Sequence, residues 1–230
     1  MFNKKLGKRK TMNNYKHQEQ CGRSMIEMLG VLAIIAVLSV GGIAGFTKAM
    51  RAHRSNIQKE LLVQLFANAI NLRSEFSSMK NNVSEPVTYI FDVLGLVPDG
   101  ITYKNFYLWD KDGNKVDVNY GIVSWKNRDG STSSRLEYIV RLTLQHNAAM
   151  LSPSAADFCE NAVFVAQQNV NDVEKITMYQ YDKDGINGTK GNGFNQSKLR
   201  TITLSEVHDF CRWCNVAADK GCSLYIYIYP

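Results

Sequence analysis

What this 230-residue chain lacks sets the first limits on it. No charged side chain stands between Met28 and Phe46, and Ser39 is the one polar side chain in those 19 residues. No G-x-S-x-G, H-E-x-x-H, P-loop or G-x-G-x-x-G pattern occurs, so no motif argues for hydrolysis, metalloprotease chemistry or nucleotide binding, and no enzymatic activity is expected. Proline is scarce at 4, glycine reaches 16, and no tract of low complexity or repeat of 20–50 residues appears, which excludes collagenous, solenoid and disordered classes. With 45% hydrophobic residues, the chain can bury one globular core and carry an appendage.

Acidic residues are nearly missing from residues 1–22, where Lys4, Lys5, Lys8, Arg9, Lys10 and Lys16 face Glu19 alone. Five of the six net positive charges therefore belong to this leader, and the nearly neutral remainder gives no reason to expect nucleic-acid binding. The apolar run from Met28 to Phe46, at 1.5 Å per residue, is about 28 Å long as a helix, close to the hydrocarbon thickness of a bilayer. Basic residues ahead of it place the N-terminus in the cytoplasm and everything after Phe46 outside. An ordinary secretory signal has a shorter apolar stretch followed by a small-residue cleavage site, whereas here the helical pattern continues past Ala44 and Gly45.

One carboxylate, Glu27, sits at the mouth of this run. A bare carboxylate costs about 2.5 kcal/mol or more at the centre of a membrane helix and less near its edge, so Glu27 is either a wet boundary residue or the partner of a cation. The pattern around it decides between the two. A basic leader, Gly22, then Arg23-Ser24-Met25-Ile26-Glu27 with glutamate fifth after the glycine, then the apolar run, resembles the class III signal of type IV prepilins and of type II secretion pseudopilins. The resemblance covers about residues 16–50. It implies that a membrane prepilin peptidase cuts between Gly22 and Arg23 on the cytoplasmic side and leaves the apolar segment attached. In that family the first mature residue is usually Phe or Met and is N-methylated by the same peptidase; here Arg23 stands there. Glu27 then takes the family's role of neutralising the new α-amino group of a neighbouring subunit.

The resemblance also implies the organisation and partners: a cleaved leader over 1–22, a long N-terminal helix over 23–80 with its membrane segment at 28–46, and an exported head over 81–230. Other pilin subunits and the inner-membrane pilus or secretion machinery are the expected partners, and the expected location is the bacterial inner membrane before assembly and a surface filament after it. Two alternatives stand beside a pilus subunit: a pseudopilin of type II secretion, and an anchored extracytoplasmic binding protein that does not polymerise.

Beyond the membrane run, Met50, Ile57, Leu61, Leu65, Ala69, Leu72, Phe76 and Met79 recur at helical spacing, so one helix is predicted from Ser24 to Met79. Gly41, Gly42 and Gly45 mark either local melting or close helix packing. Pro86 ends the helical pattern, and Asn81–Pro86 is the best flexible boundary. "YKNFYLWD" and "KVDVNYGIVSW" flank the turn-like "KDGN" and read as strands, as do Arg135–Leu144, "EKITMYQYD" and "SLYIYIYP". "SPSAADFCENAVFVAQQ" reads as a helix capped by Ser152 or Ser154, and "TLSEVHDFCRWC" as a short helix capped by Thr203 or Ser205. The predicted class is α+β: a long helix on a C-terminal antiparallel sheet, pilin-like. Tyr225, Tyr227 and Tyr229 alternate with Leu224, Ile226 and Ile228, and are read as sheet packing rather than as a carbohydrate platform.

Cleavage after Gly22 removes Cys21 and leaves Cys159, Cys211, Cys214 and Cys222, an even number in an exported segment, where disulfides are the default. The favoured pairing joins Cys159 to Cys211 or Cys214, and Cys222 to the other. "CRWC" as a redox dithiol lacks the strand that precedes such a helix start, and zinc held by the four cysteines is the remaining alternative. Calcium is a weak expectation at Asp182, Asp184 and Asn187, weaker still at Asp110, Asp112 and Asn114, since neither loop has the EF-hand glycine and glutamate. His208, three residues before Cys211, invites comparison with a Cys/His pair, but a lone histidine is more often a surface group.

Overall fold

The computed structural model describes residues 18–77, 85–127, 129–144, 146–147, 150–151, 153–181, 188–213 and 221–230. In chain order the elements are α1 (Gln18–Ser77), β1 (Glu85–Pro86), α2 (Tyr89–Val93), β2 (Thr102–Lys104), β3 (Tyr107–Trp109), β4 (Lys115–Lys126), β5 (Thr132–Leu144), β6 (His146–Asn147), β7 (Met150–Leu151), α3 (Pro153–Gln168), β8 (Val173–Tyr181), β9 (Gly188–Asn195), α4 (Gln196–Leu199), α5 (Leu204–Arg212) and β10 (Gly221–Ile228). The chain divides into two compact units, residues 1–52 and 53–230.

The second unit is an α+β arrangement consistent with a pilin-like fold: the later part of α1 packs on an antiparallel sheet of eight strands. Strand order is β2-β3-β4-β5-β10-β8-β9, with β1 pairing β4 off that path, and β6 and β7 form a separate ribbon. The C-terminal strand β10 lies in the middle, with Leu224 opposite Leu142 of β5 on one side and Met178 of β8 on the other. The sheet is therefore incomplete until the end of the chain is in place.

Alternation along the strands separates two faces. Val116, Val118 and Tyr120 of β4, Tyr138, Val140 and Leu142 of β5, and Leu224 and Ile226 of β10 are buried on the helix side. Against them lie Leu62, Leu65, Phe66, Ala69, Leu72 and Phe76 of α1, together with Phe158, Ala162 and Val165 of α3. The predicted stripe on α1 was too narrow. Leu62 and Phe66 are buried while Leu61 is only half-buried and Met50 is exposed; Met79 lies outside the described residues. A broad packing face takes in two residues per turn, and Gln58 joins it, 3% exposed, because its Nε2 donates to Asp112 Oδ2 and Ser154 Oγ.

On the opposite face Arg141 makes a two-pronged contact with buried Asp117, Nε to Oδ1 at 2.8 Å and Nη2 to Oδ2 at 2.7 Å. Beside it the tyrosines of β8 and β10 pack together: Tyr179 and Tyr225 rings lie 4.6 Å apart, and the Tyr181 and Tyr225 hydroxyls share a hydrogen bond. Burial raises the pKa of Tyr181 and Tyr227, so both stay neutral hydroxyl groups at ordinary pH. Lys175 sits 4.2 Å from the Tyr227 ring centroid.

Two local readings change. "YKNFYLWD" is a two-stranded hairpin rather than one strand, because Asn105 and Phe106 take φ of 54° and 66°, the left-handed pair of a tight hairpin turn. Strand β9 was not expected. Its "GTKGNGFN" sequence has poor strand propensity, but Gly193 fits against β8 where a Cβ would stand 2.6 Å from the Ile176 carbonyl oxygen. Helix α3 begins at Pro153, so Ser154 is inside the helix and not its cap; Ser152 lies outside the described residues. Of the boundary Asn81–Pro86, Glu85 and Pro86 form β1 and the rest lies outside the described residues.

Candidate functional site

In the first unit α1 is continuous from Gln18 through Gly22, Arg23 and Glu27 and across Gly41, Gly42 and Gly45, so the local melting considered for these glycines is not present. A Cβ added at Gly30, Gly41, Gly42 or Gly45 would meet nothing within 4 Å, which leaves these positions open to the close approach of another helix. Every large apolar side chain from Met25 to Phe46 is 52–74% exposed. The helix satisfies its own polar groups: Ser39 Oγ donates to the Ile35 carbonyl at 2.7 Å and Thr47 Oγ1 to that of Ala44 at 3.0 Å. Mean hydropathy reaches 2.4 in an 18-residue window, and this is the one helix among the described residues long and apolar enough to cross a membrane. It is compatible with a single-pass membrane anchor. Glu27 is exposed on this surface beside Met28, Val31 and Leu32.

In the second unit a disulfide joins Cys159 of α3 to Cys211 of α5, with Cα atoms 5.8 Å apart and a sequence separation of 52. Closing a loop of that length contributes about 4 kcal/mol in the chain-entropy view. Cys211 is thus bonded across two helices and is no partner for Cys214 in a redox C-x-x-C pair. Cys222 is also disulfide-bonded, while Cys214 lies outside the described residues. His208 Nδ1 lies 2.9 Å from Glu160 Oε1 of α3, and Cys211 is engaged by Cys159.

The oxygens of the Asp110–Asn114 turn are used internally. Asp110 Oδ1 accepts from the backbone N–H groups of Asp112 and Asn114, and its Oδ2 from Asn114 Nδ2 at 2.7 Å. Burial raises the Asp110 pKa. Asp112 Oδ2 accepts from Gln58 and Ser154, so this loop ties α1, the β3–β4 turn and α3 together. No group of three or more His, Cys, Asp or Glu suited to a metal occurs among the described residues, and Asp182, Asp184 and Asn187 lie outside them.

Thr203 caps α5 as expected. Its hydroxyl accepts from Glu206 N–H, and the Glu206 carboxylate returns a bond to Thr203 N–H at 2.9 Å. Lys198 Nζ, 2.5 Å from Glu206 Oε1, and then the Thr203 bonds pull the Glu206 pKa from 4.5 to about 2. A depressed folded-state pKa stabilises the fold above the unfolded value and ceases to do so as pH falls through the folded one. The unfolding temperature of Glu206→Gln is therefore expected to lie below that of the wild type near neutral pH, with the gap closing between pH 4.5 and about 2. Thermal unfolding followed by circular dichroism across that range checks it; a gap independent of pH contradicts it.

A feature the sequence did not announce lies between β9 and the end of α5, an open groove of about 530 Å³ walled by Phe194, Phe210 and Trp213. It depends on β9, whose glycine-rich sequence hid the strand.

A scan against protein-family models and searches of curated proteins and of solved structures found no match to this chain.

Proposed function

We propose that the chain is a structural subunit of a type IV pilus-like filament, cut after Gly22 by a prepilin peptidase, held in the inner membrane by its N-terminal helix and then assembled through that helix. The observation that carries the reading is Glu27: one carboxylate at the fifth position after Gly22, at the mouth of a helix surface that is otherwise uncharged as far as Phe46. In lipid that surface is satisfied by acyl chains; in a filament it is satisfied by neighbouring helices, with open glycines where backbones approach. The cut gives each subunit a new cation at Arg23, and Glu27 supplies the anion that pairs with it in the neighbour, fixing register while apolar packing supplies most of the assembly energy. No reaction is assigned to the subunit.

The test is polymer formation in a host with the assembly machinery. Glu27→Gln keeps the side-chain shape and removes the charge; expected is processed chain in the membrane at wild-type level and a sheared surface fraction reduced about tenfold or more, the size of one lost charge pair in a dry setting. Undiminished filaments from Glu27→Gln, or no polymer from the wild type, contradict the proposal. The second outcome favours the anchored binding protein, which the groove of the second unit would suit.

A further inference from the structure

The groove beside α5 combines an aromatic wall with a charged rim, and that chemistry would select among classes of ligand. Three aromatic rings form its walls: Phe194 and Phe210, with centroids 4.8 Å apart, and half-buried Trp213. The indole is seated by β9. A Cβ at Gly191 would lie 2.3 Å from Trp213 Cζ3, so only glycine lets the strand backbone approach the ring this closely. The Cys159–Cys211 bond fixes the last turn of α5, which carries the polar rim.

That rim carries both signs of charge. Asp209 and Arg212, both exposed, line the groove with Asn192. None of the three has a hydrogen-bond or ion-pair partner among the described residues, and the Trp213 indole N–H is likewise without an acceptor there. Glu206, also in the lining, is engaged by Lys198 and Thr203. An anionic ligand meets Asp209 and Glu206, and a cationic one meets Arg212. A neutral ligand with an apolar face and many hydroxyls meets neither penalty: its C–H face can lie on the indole, and a hydroxyl can donate to Asp209 while it accepts from Arg212, Asn192 or the indole N–H. A groove of this size, mostly apolar with a few convergent polar groups, has the general form of a small-ligand site.

We propose that this groove binds a neutral oligosaccharide, with Trp213 as stacking platform and Asp209 and Arg212 as hydroxyl-binding groups. The proposal is independent of whether the chain polymerises.

Full-length protein in a detergent without sugar headgroups is titrated with lactose, cellobiose, maltotriose and mannotriose as neutral probes, and with sialyllactose and a glucosamine trimer as charged ones. Binding is read by saturation-transfer NMR and calorimetry. Expected is binding of at least one neutral probe in preference to both charged ones, weakened about tenfold or more in Trp213→Ala and in Asp209→Ala. Asp209 is exposed and has no partner among the described residues, so its variant is expected to keep the fold and decides alone if Trp213→Ala unfolds. Absence of binding by every neutral probe, preference for a charged probe, or unchanged binding in Asp209→Ala overturns the proposal.

Discussion

Phe76→Ala is expected to remove about 3–5 kcal/mol of folding free energy from the second unit, a large share of what a domain of this kind has to lose. Phe76 occupies the last full turn of α1 and is fully buried. Its ring lies 5.6 Å from that of Tyr120 and 5.5 Å from that of Tyr138, and the two tyrosine rings are themselves 5.8 Å apart. The Tyr138 hydroxyl donates to the Ala69 carbonyl of α1 at 2.7 Å, so the helix is held to β4 and β5 by both apolar packing and a buried hydrogen bond. Truncation leaves a void among three rings whose positions are fixed by strand register and cannot collapse into it. Phe46→Ala is the control: the same residue type on the same helix, 66% exposed, and expected to leave the stability of the second unit unchanged. Urea unfolding of the full chain in micelles, followed by tyrosine and tryptophan signals, measures both; equal midpoints for Phe76→Ala and the wild type contradict this packing.

Phe76, Leu65, Ala69 and Leu72 were legible in the sequence because helical spacing alone brings them to one face. Leu62 and Phe66 were not, since a single line of apolar residues understates how wide a face two sheet strands and α3 together cover. Gln58 was illegible for another reason: its partners Asp112 and Ser154 stand 54 and 96 residues away, and no local pattern reports them. The Thr203 cap was readable because capping is a contact between residues three apart. The Cys159–Cys211 bond was readable only as one of two choices, because spacing tells which segments are stapled and not whether Cys211 or Cys214 is the partner of Cys159. Strand β9 and with it the groove were hidden, since glycines that permit close backbone approach resemble, in sequence, glycines that permit a loop. Arg23, Gly22 and Glu27 form a pattern along the chain, and the fold of the second unit adds nothing to its recognition.

Gly22→Val is expected to abolish filaments altogether. Under the proposed processing, the bulky side chain stands at the residue whose carbonyl the peptidase would attack, so the leader is expected to stay on. Two consequences follow. No α-amino group forms at Arg23, so the pairing proposed between that amine and Glu27 of the neighbouring subunit does not form. In the proposed orientation the uncut leader would also keep six basic side chains on the cytoplasmic surface, where each would gain about 1 kcal/mol from anionic lipid and oppose extraction of the helix. The variant is expected to accumulate in the membrane heavier than the mature chain by the mass of residues 1–22, with nothing in the sheared fraction. Filaments from Gly22→Val at wild-type yield would separate assembly from processing and remove Gly22 from the mechanism.

Intact mass with N-terminal peptide mapping, on protein from one host that has the prepilin peptidase and one that lacks it, tests the central claim most directly. A chain that begins at Arg23 only when the peptidase is present is the expected result. An intact Met1 end in both hosts, or a cut beyond Phe46, would contradict it and leave the second unit as an anchored or released binding domain.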